Sequence, residues 1–194
     1  MQENMNHQQV SLKKTPTNSI EIDKAYFFTT STLKLVLMSI CTFGIYELYW
    51  FYKNWVLIKE RTGQNIMPIW RSIFALFWAY SCFKHIKNSA AENNIQESLF
   101  IGVLGIVYFV LEILPLFPDQ SEILFVMISL FSFTLLIPVN SVALRVNQHL
   151  VANFVNNEKF SGWNWVALVL GGLFFVLVLA SGVFLLIIDG QLTM

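Results

Sequence analysis

Charge is the scarcest feature of this 194-residue sequence: only 12% of its residues are Asp, Glu, Lys or Arg. An average soluble domain carries about 25%. With 56% of the residues hydrophobic and a mean hydropathy of +0.59, a water-exposed globule of this composition would present large apolar patches. Neither sign is in surplus, since 12 Lys+Arg balance 12 Asp+Glu. That balance excludes the basic footprint of a nucleic-acid binder. Cysteine is limited to Cys41 and Cys82, each alone in an apolar stretch. A disulfide framework needs more cysteines and an oxidising compartment, so both are expected to be small buried hydrophobes, with a disulfide between them as the alternative. His7, His85 and His149 are scattered, without HExxH or paired spacing, and no metal site is expected. The sequence has no G-x-S-x-G elbow, no Walker-A loop and no inverted repeat. The loops at Gly63 and Gly162 lack phosphate-cradle spacing. No enzymatic activity and no cofactor are therefore expected. Residues 1–25 contain no apolar core of a secretory signal, so the expectation is insertion through internal segments.

What the sequence does have is apolar length. After a polar, Gln/Asn-rich stretch read as a disordered tail over residues 1–25, hydrophobic material comes in five blocks. Crossing a ~30 Å hydrocarbon core takes about 20 helical residues. Leu99–Phe117 offers 19 residues with one charge, Glu112; Ile123–Leu144 offers 22 and Ser161–Ile188 offers 28, both uncharged. These predict spans at about 99–118, 123–146 and 163–188. The first two blocks hold only 12 uncharged residues each, between Lys34 and Glu47 and between Arg71 and Lys84. Twelve helical residues reach about 18 Å, which fits re-entrant or interfacial segments better than crossings. Thr42-Phe43-Gly44-Ile45 is a plausible break within block one, and Thr62-Gly63 a helix stop. Pro68 suits the first turn of the next helix.

Placement of the charges weighs two topologies. If only the last three blocks span and the Phe117–Glu122 loop is outside, all 12 basic residues fall on the cytoplasmic side. This satisfies the positive-inside rule. A five-span bundle would expose Lys53, Lys59, Arg61 and Arg71 outside and put Glu47 within a crossing, at roughly 2.5–3.5 kcal/mol. Lys34 and Lys53 could snorkel to lengthen that crossing, so five spans remain the alternative. The fold class read from the sequence is thus an all-α membrane protein: three transmembrane helices over 99–194, preceded by a membrane-embedded or interfacial helical region over 26–98.

The run Lys34-Leu-Val-Leu-Met-Ser-Ile-Cys-Thr-Phe-Gly-Ile-Tyr46, followed by Tyr49-Trp-Phe-Tyr-Lys-Asn-Trp55, resembles a motif in a family of small bacterial integral membrane proteins of unknown function. The resemblance covers the first third to half of the chain and extends weakly through Arg71–Phe83. It implies a bacterial cytoplasmic membrane and carries no activity with it.

Two groups of residues stand out as candidate sites. Glu112 is the acidic residue well inside an expected span, and intramembrane carboxylates are functional candidates. Asn140 and Ser141 follow Pro138 on the next span, so the three could line a polar cavity for a proton or cation. Helical rise nevertheless separates Glu112 from Asn140 by roughly 10 Å in depth; the simpler role for Glu112 is a hydrogen bond to a neighbouring helix. The second group is aromatic and basic: Tyr49, Trp50, Trp55, Trp70, Arg71 and Lys84, with His85 and Lys87, forms a collar suited to lipid headgroups, a partner loop, or plain anchoring. Trp55 and Ile58 with Lys53, Lys59, Glu60 and Arg61 read as an amphipathic helix lying on the interface. Small residues at Ala167-x-x-x-Gly171, Gly172, Ala180–Gly182, Gly102 and Gly105 suggest close helix packing or homo-oligomerisation. The expected partners are the lipid bilayer and a membrane protein, or a second copy. The expected role is a non-enzymatic accessory, scaffold or assembly subunit, with a small transporter or channel subunit as the alternative.

Overall fold

The structure, a computed structural model, describes residues 24–114 and 122–192. The polar tail through residue 23 and all of the expected Phe117–Glu122 outer loop except Glu122 lie outside the described residues. The chain is all-helical: α1 Thr32–Cys41, α2 Ile45–Thr62, α3 Pro68–Ile73, α4 Ala75–Glu92, α5 Ile101–Ile113, α6 Glu122–Leu150 and α7 Gly162–Leu192. Among the described residues β pairing is limited to one isolated bridge, between Thr30 and Asn157.

The expected break falls where the sequence placed it. Ser31 caps α1 by accepting from the Lys34 N–H. Thr42 then turns its hydroxyl back to the Met38 carbonyl at 2.6 Å, and Phe43 and Gly44 adopt φ of +50° and +83°. Glycine enters that left-handed region freely, whereas a side chain meets its own carbonyl there. Gly44 therefore makes the reversal into α2 possible. α2 ends at Gly63, φ +65°, whose N–H reaches the Lys59 carbonyl at 2.9 Å. Pro68 sits in the first turn of α3, and an irregular Phe74 separates α3 from α4.

The core lies around α2. Trp50, Phe51, Trp55 and Ile58 are completely buried. Phe51 stacks on Phe83 of α4 at 5.9 Å and meets Tyr108 of α5 edge-on at 5.5 Å. Burying side chains of this size stabilises by about 1.5–3 kcal/mol each. This corrects the expectation that Trp55 and Ile58 lie on an interface: they point into protein, and only Lys59 and Glu60 of that stretch are exposed. Trp50 is likewise a core residue rather than a belt residue. Both cysteines are free thiols, Cys82 fully buried and Cys41 partly so, which excludes the disulfide alternative.

α7 leans on α1 at one close approach. A Cβ on Gly171 would collide with the Cys41 carbonyl oxygen, and Gly172 faces the Cys41 sulfur. Phe43 meets Phe174 edge-on at 5.4 Å beside that contact. The rest of α7 turns Leu170, Leu173, Val176 and Leu177 outward. Gly162–Gly182, 21 residues with none of the segment buried, is long and apolar enough to cross a membrane. Among the described residues it is the one helix that meets both criteria. α5 has 13 helical residues, about 20 Å of rise. α6 runs 29 residues but is interrupted in composition by Pro138, Asn140 and Arg145.

Candidate functional site

A segment of non-helical chain, Phe27–Thr30, lies buried among the helices. Among the described residues this non-helical backbone has one isolated bridge, Thr30 to Asn157, for β pairing, yet its other N–H and C=O groups need partners. Three buried asparagines supply them. Asn147 of α6 accepts from the Phe27 N–H at 2.8 Å and donates to the Phe27 carbonyl at 2.7 Å. Asn54 of α2 does the same for Phe28, at 3.1 and 3.2 Å. Asn140 of α6 does it for Thr30, at 3.2 and 2.7 Å. Each side-chain amide thus replaces one rung of a β ladder. Asn140 also accepts from the buried Trp50 indole N–H at 3.1 Å. Just beyond the clasp, Lys34 on α1 is buried and donates to the Asn157 side chain and the Lys159 carbonyl, both at 2.8 Å.

The second polar centre lies where α1 turns into α2. Glu47, in the first turn of α2, is 2% exposed. The Ser132 hydroxyl of α6 lies 3.0 and 3.1 Å from its two carboxylate oxygens. On α5, Glu112 hydrogen-bonds both Ser132 and the buried Tyr108. Ser132 has one hydrogen to donate. The Tyr108 phenol gives Glu112 a donor of its own, so the serine hydrogen is free to serve Glu47. The arrangement is a pair of carboxyls from two helices, bridged by a hydroxyl and closed by a phenol.

Predicted site residues are therefore redistributed. Glu112 is joined to Glu47, Ser132 and Tyr108, not to Asn140 or Ser141. Asn140 belongs to the asparagine clasp, and Ser141 is exposed with its hydroxyl on the Ile137 carbonyl at 2.9 Å. Antiparallel packing of α5 and α6 puts Glu112 level with residue 132, two turns from residue 140. The signal for Glu47 was in the sequence: it interrupts an otherwise uncharged run between Lys34 and Lys53. Asn54 and Asn147 carried none, because polar residues on helices usually face solvent.

The aromatic and basic group also divides. Tyr49 and Trp70 are exposed, at 44% and 54%, and Lys84 is exposed. Tyr49 and Lys53 line an open groove of about 500 Å³ between Phe28 and Val155. Arg71 lies between two indoles, its guanidinium carbon 4.5 Å from the Trp55 ring and 4.2 Å from Trp78. Trp70, expected beside it, stacks on Phe74 at 5.9 Å instead. His85 meets Trp55 edge-on at 5.9 Å. Burial holds the His85 imidazole below its usual pKa, and Arg61, Arg71 and Lys84 push in the same direction. Among the described residues no group of three or more His, Cys, Asp or Glu is arranged to hold a metal ion.

No family model, no curated protein and no solved structure matches this chain.

Proposed function

We propose that the chain is a multi-pass integral membrane protein of a bacterial cytoplasmic membrane, serving as a non-enzymatic accessory or assembly subunit. The single observation that carries this reading is α7, an apolar helix of membrane-spanning length whose outward surface is covered by no other element among the described residues. The contact geometry supports a three-span path with a dipping N-terminal half. α1 ends against Gly171, about nine residues into α7, and α2 begins beside Ser132, about ten residues into α6. A hairpin that turns at mid-depth and returns keeps every basic residue on one side.

Topology is tested by cysteine labelling in intact cells at Lys59→Cys, Asp119→Cys and Leu192→Cys. Labelling from outside at 119 and 192 but not 59 is expected; labelling at 59 favours five spans. The subunit role is tested by native electrophoresis of mild-detergent membrane extracts. The 22.4 kDa chain is expected in a larger complex, dissociated by combined Tyr49→Ala, Tyr52→Ala and Trp70→Ala, all exposed positions. Differently tagged copies that co-purify would identify the partner as a second copy. Migration of the wild type as a monomer refutes the subunit role.

A second reading, a small transporter or channel subunit, is favoured by the coupled Glu47 and Glu112 carboxyls. It expects Glu112→Gln and Glu47→Gln each to abolish cation or proton uptake into proteoliposomes while leaving complex assembly intact.

A further inference from the structure

We infer that Arg71, held between Trp55 and Trp78, is a recognition site for the phosphate of an anionic phospholipid. The inference rests on the membrane reading above and names the ligand chemistry of its aromatic–basic collar.

The argument begins with what Arg71 lacks. A guanidinium has five N–H donors directed in its plane. The Trp55 and Trp78 ring centroids lie 4.5 and 4.2 Å from its central carbon, cation–π contacts that consume none of those donors. Among the described residues no carboxylate pairs with it and no acceptor meets that edge. Compare Arg61, whose edge donates to the Tyr26 carbonyl at 2.6 Å. Trp55 supplies the inner wall of the site. It is completely buried, yet its indole N–H has no hydrogen-bond partner, where a buried tryptophan ordinarily finds one. The unpaired fork calls for an acceptor with several oxygens, whereas the Trp55 N–H is sealed within the protein and stays outside that contact.

The surroundings select the acceptor's class. Arg61 and Lys84 bear on the neighbouring His85 together with Arg71, and the carboxylate that offsets them, Glu92, bears on Arg61. The site is therefore net cationic and fits an anion. Ile69, Trp70, Ile73, Phe74, Phe77 and Trp78 are all exposed alongside it. A fork that fits phosphate bidentately, flanked by six exposed apolar side chains, matches a headgroup phosphate with its acyl chains rather than a fully water-soluble anion.

The test uses the full-length chain in dodecyl maltoside micelles, monitored by thermal unfolding with added phosphatidylglycerol, phosphatidylcholine or sodium phosphate. Phosphatidylglycerol is expected to raise Tm saturably, with phosphatidylcholine and phosphate giving no comparable rise. Lys84→Gln, an exposed change that leaves the fold alone, should raise the half-saturating phosphatidylglycerol concentration about fivefold, one basic residue's share of anionic-lipid binding. Arg71→Gln should raise it at least tenfold, and Arg71→Lys should not restore it, because a point charge lacks the fork. Equal shifts from both lipids, an equal shift from sodium phosphate, or an unchanged response in Arg71→Gln would each overturn the site. Flotation on phosphatidylcholine vesicles separates the two claims: a chain that floats without lipid discrimination refutes only the site, whereas one that stays in the aqueous fraction refutes the membrane reading.

Discussion

Replacing Asn147 with Leu removes one rung of the asparagine clasp while keeping side-chain volume close to native. Asn147 is 0% exposed and makes two short hydrogen bonds to the Phe27 peptide, at 2.8 and 2.7 Å, with a weaker one to the Thr29 hydroxyl at 3.3 Å. Leucine leaves the Phe27 N–H and C=O buried and unpaired. Each such group costs about 1–3 kcal/mol, and the added apolar contact offsets part of that, for a net loss of about 2–4 kcal/mol. Because Asn54 and Asn140 still hold Phe28 and Thr30, the loss falls first on local opening of the segment. Hydrogen exchange followed by mass spectrometry on the detergent-solubilised chain reads it directly. The Phe27 and Phe28 amides should exchange about 30- to 700-fold faster, since each 1.4 kcal/mol is a factor of ten. Amides in α4 should change little. Asn156→Ala, which removes one part-buried contact to Thr29 and one exposed contact to Glu158, is the comparison and should have a much smaller effect. If Asn147→Leu left the Phe27 amide as protected as in the wild type, the segment would be held by apolar packing and the clasp would be incidental.

Three further outcomes follow from the packing. Gly171→Ala drives a methyl into the Cys41 carbonyl and should lower stability in detergent by more than the usual 1–3 kcal/mol of overpacking; Gly102→Ala and Gly182→Ala, with open space around them, should be within about 0.5 kcal/mol of wild type. Gly44→Ala, at φ +83°, should cost about 1–2 kcal/mol by thermal or denaturant unfolding. His85 has a folded pKa below its unfolded value, so the unfolded state binds more protons just below pH 6.5. Its contribution is intact above that pH and is lost as pH falls towards the folded pKa; the wild-type stability minus that of His85→Gln should therefore decline over that interval, and a flat difference refutes the assignment.

What could be read from the sequence was mostly local. The reversal at Phe43-Gly44, the stop at Thr62-Gly63 and the start at Pro68 depend on neighbouring residues and on φ preferences that composition reports directly. The aromatic residues of α2 were ambiguous for a physical reason. In a chain solvated by lipid, an apolar face can meet acyl chains or another helix, and periodicity does not separate the two. Tyr49 and Trp50 are adjacent, yet one is 44% exposed and the other fully buried. Glu47 was legible as a costly charge within an apolar block. Its partner was not, since Ser132 is 85 residues away and only tertiary packing brings it to Glu47.

The clasp explains how that packing is set. Asn140 and Asn147 are seven residues apart on α6, a rise of about 10.5 Å. Phe27 and Thr30 are three residues apart along a non-helical segment that bends at Phe27. The segment lies along α6 with one amide at each end, while Phe28 between them is taken by Asn54 from α2. The segment is thereby pinned to two helices at once, and Ser31 begins α1 immediately after the last rung. Where α1 enters, and how far it runs before the Gly44 reversal, then follows from helical rise. The first turn of α2 arrives beside Ser132 because Asn140, eight residues further along α6, holds both Thr30 and Trp50. Losing Asn140 should loosen the clasp and displace Glu47 together, so that Asn140→Leu weakens protection at the Thr30 amide and at α2 amides near Glu47, whereas Asn147→Leu affects only the former region.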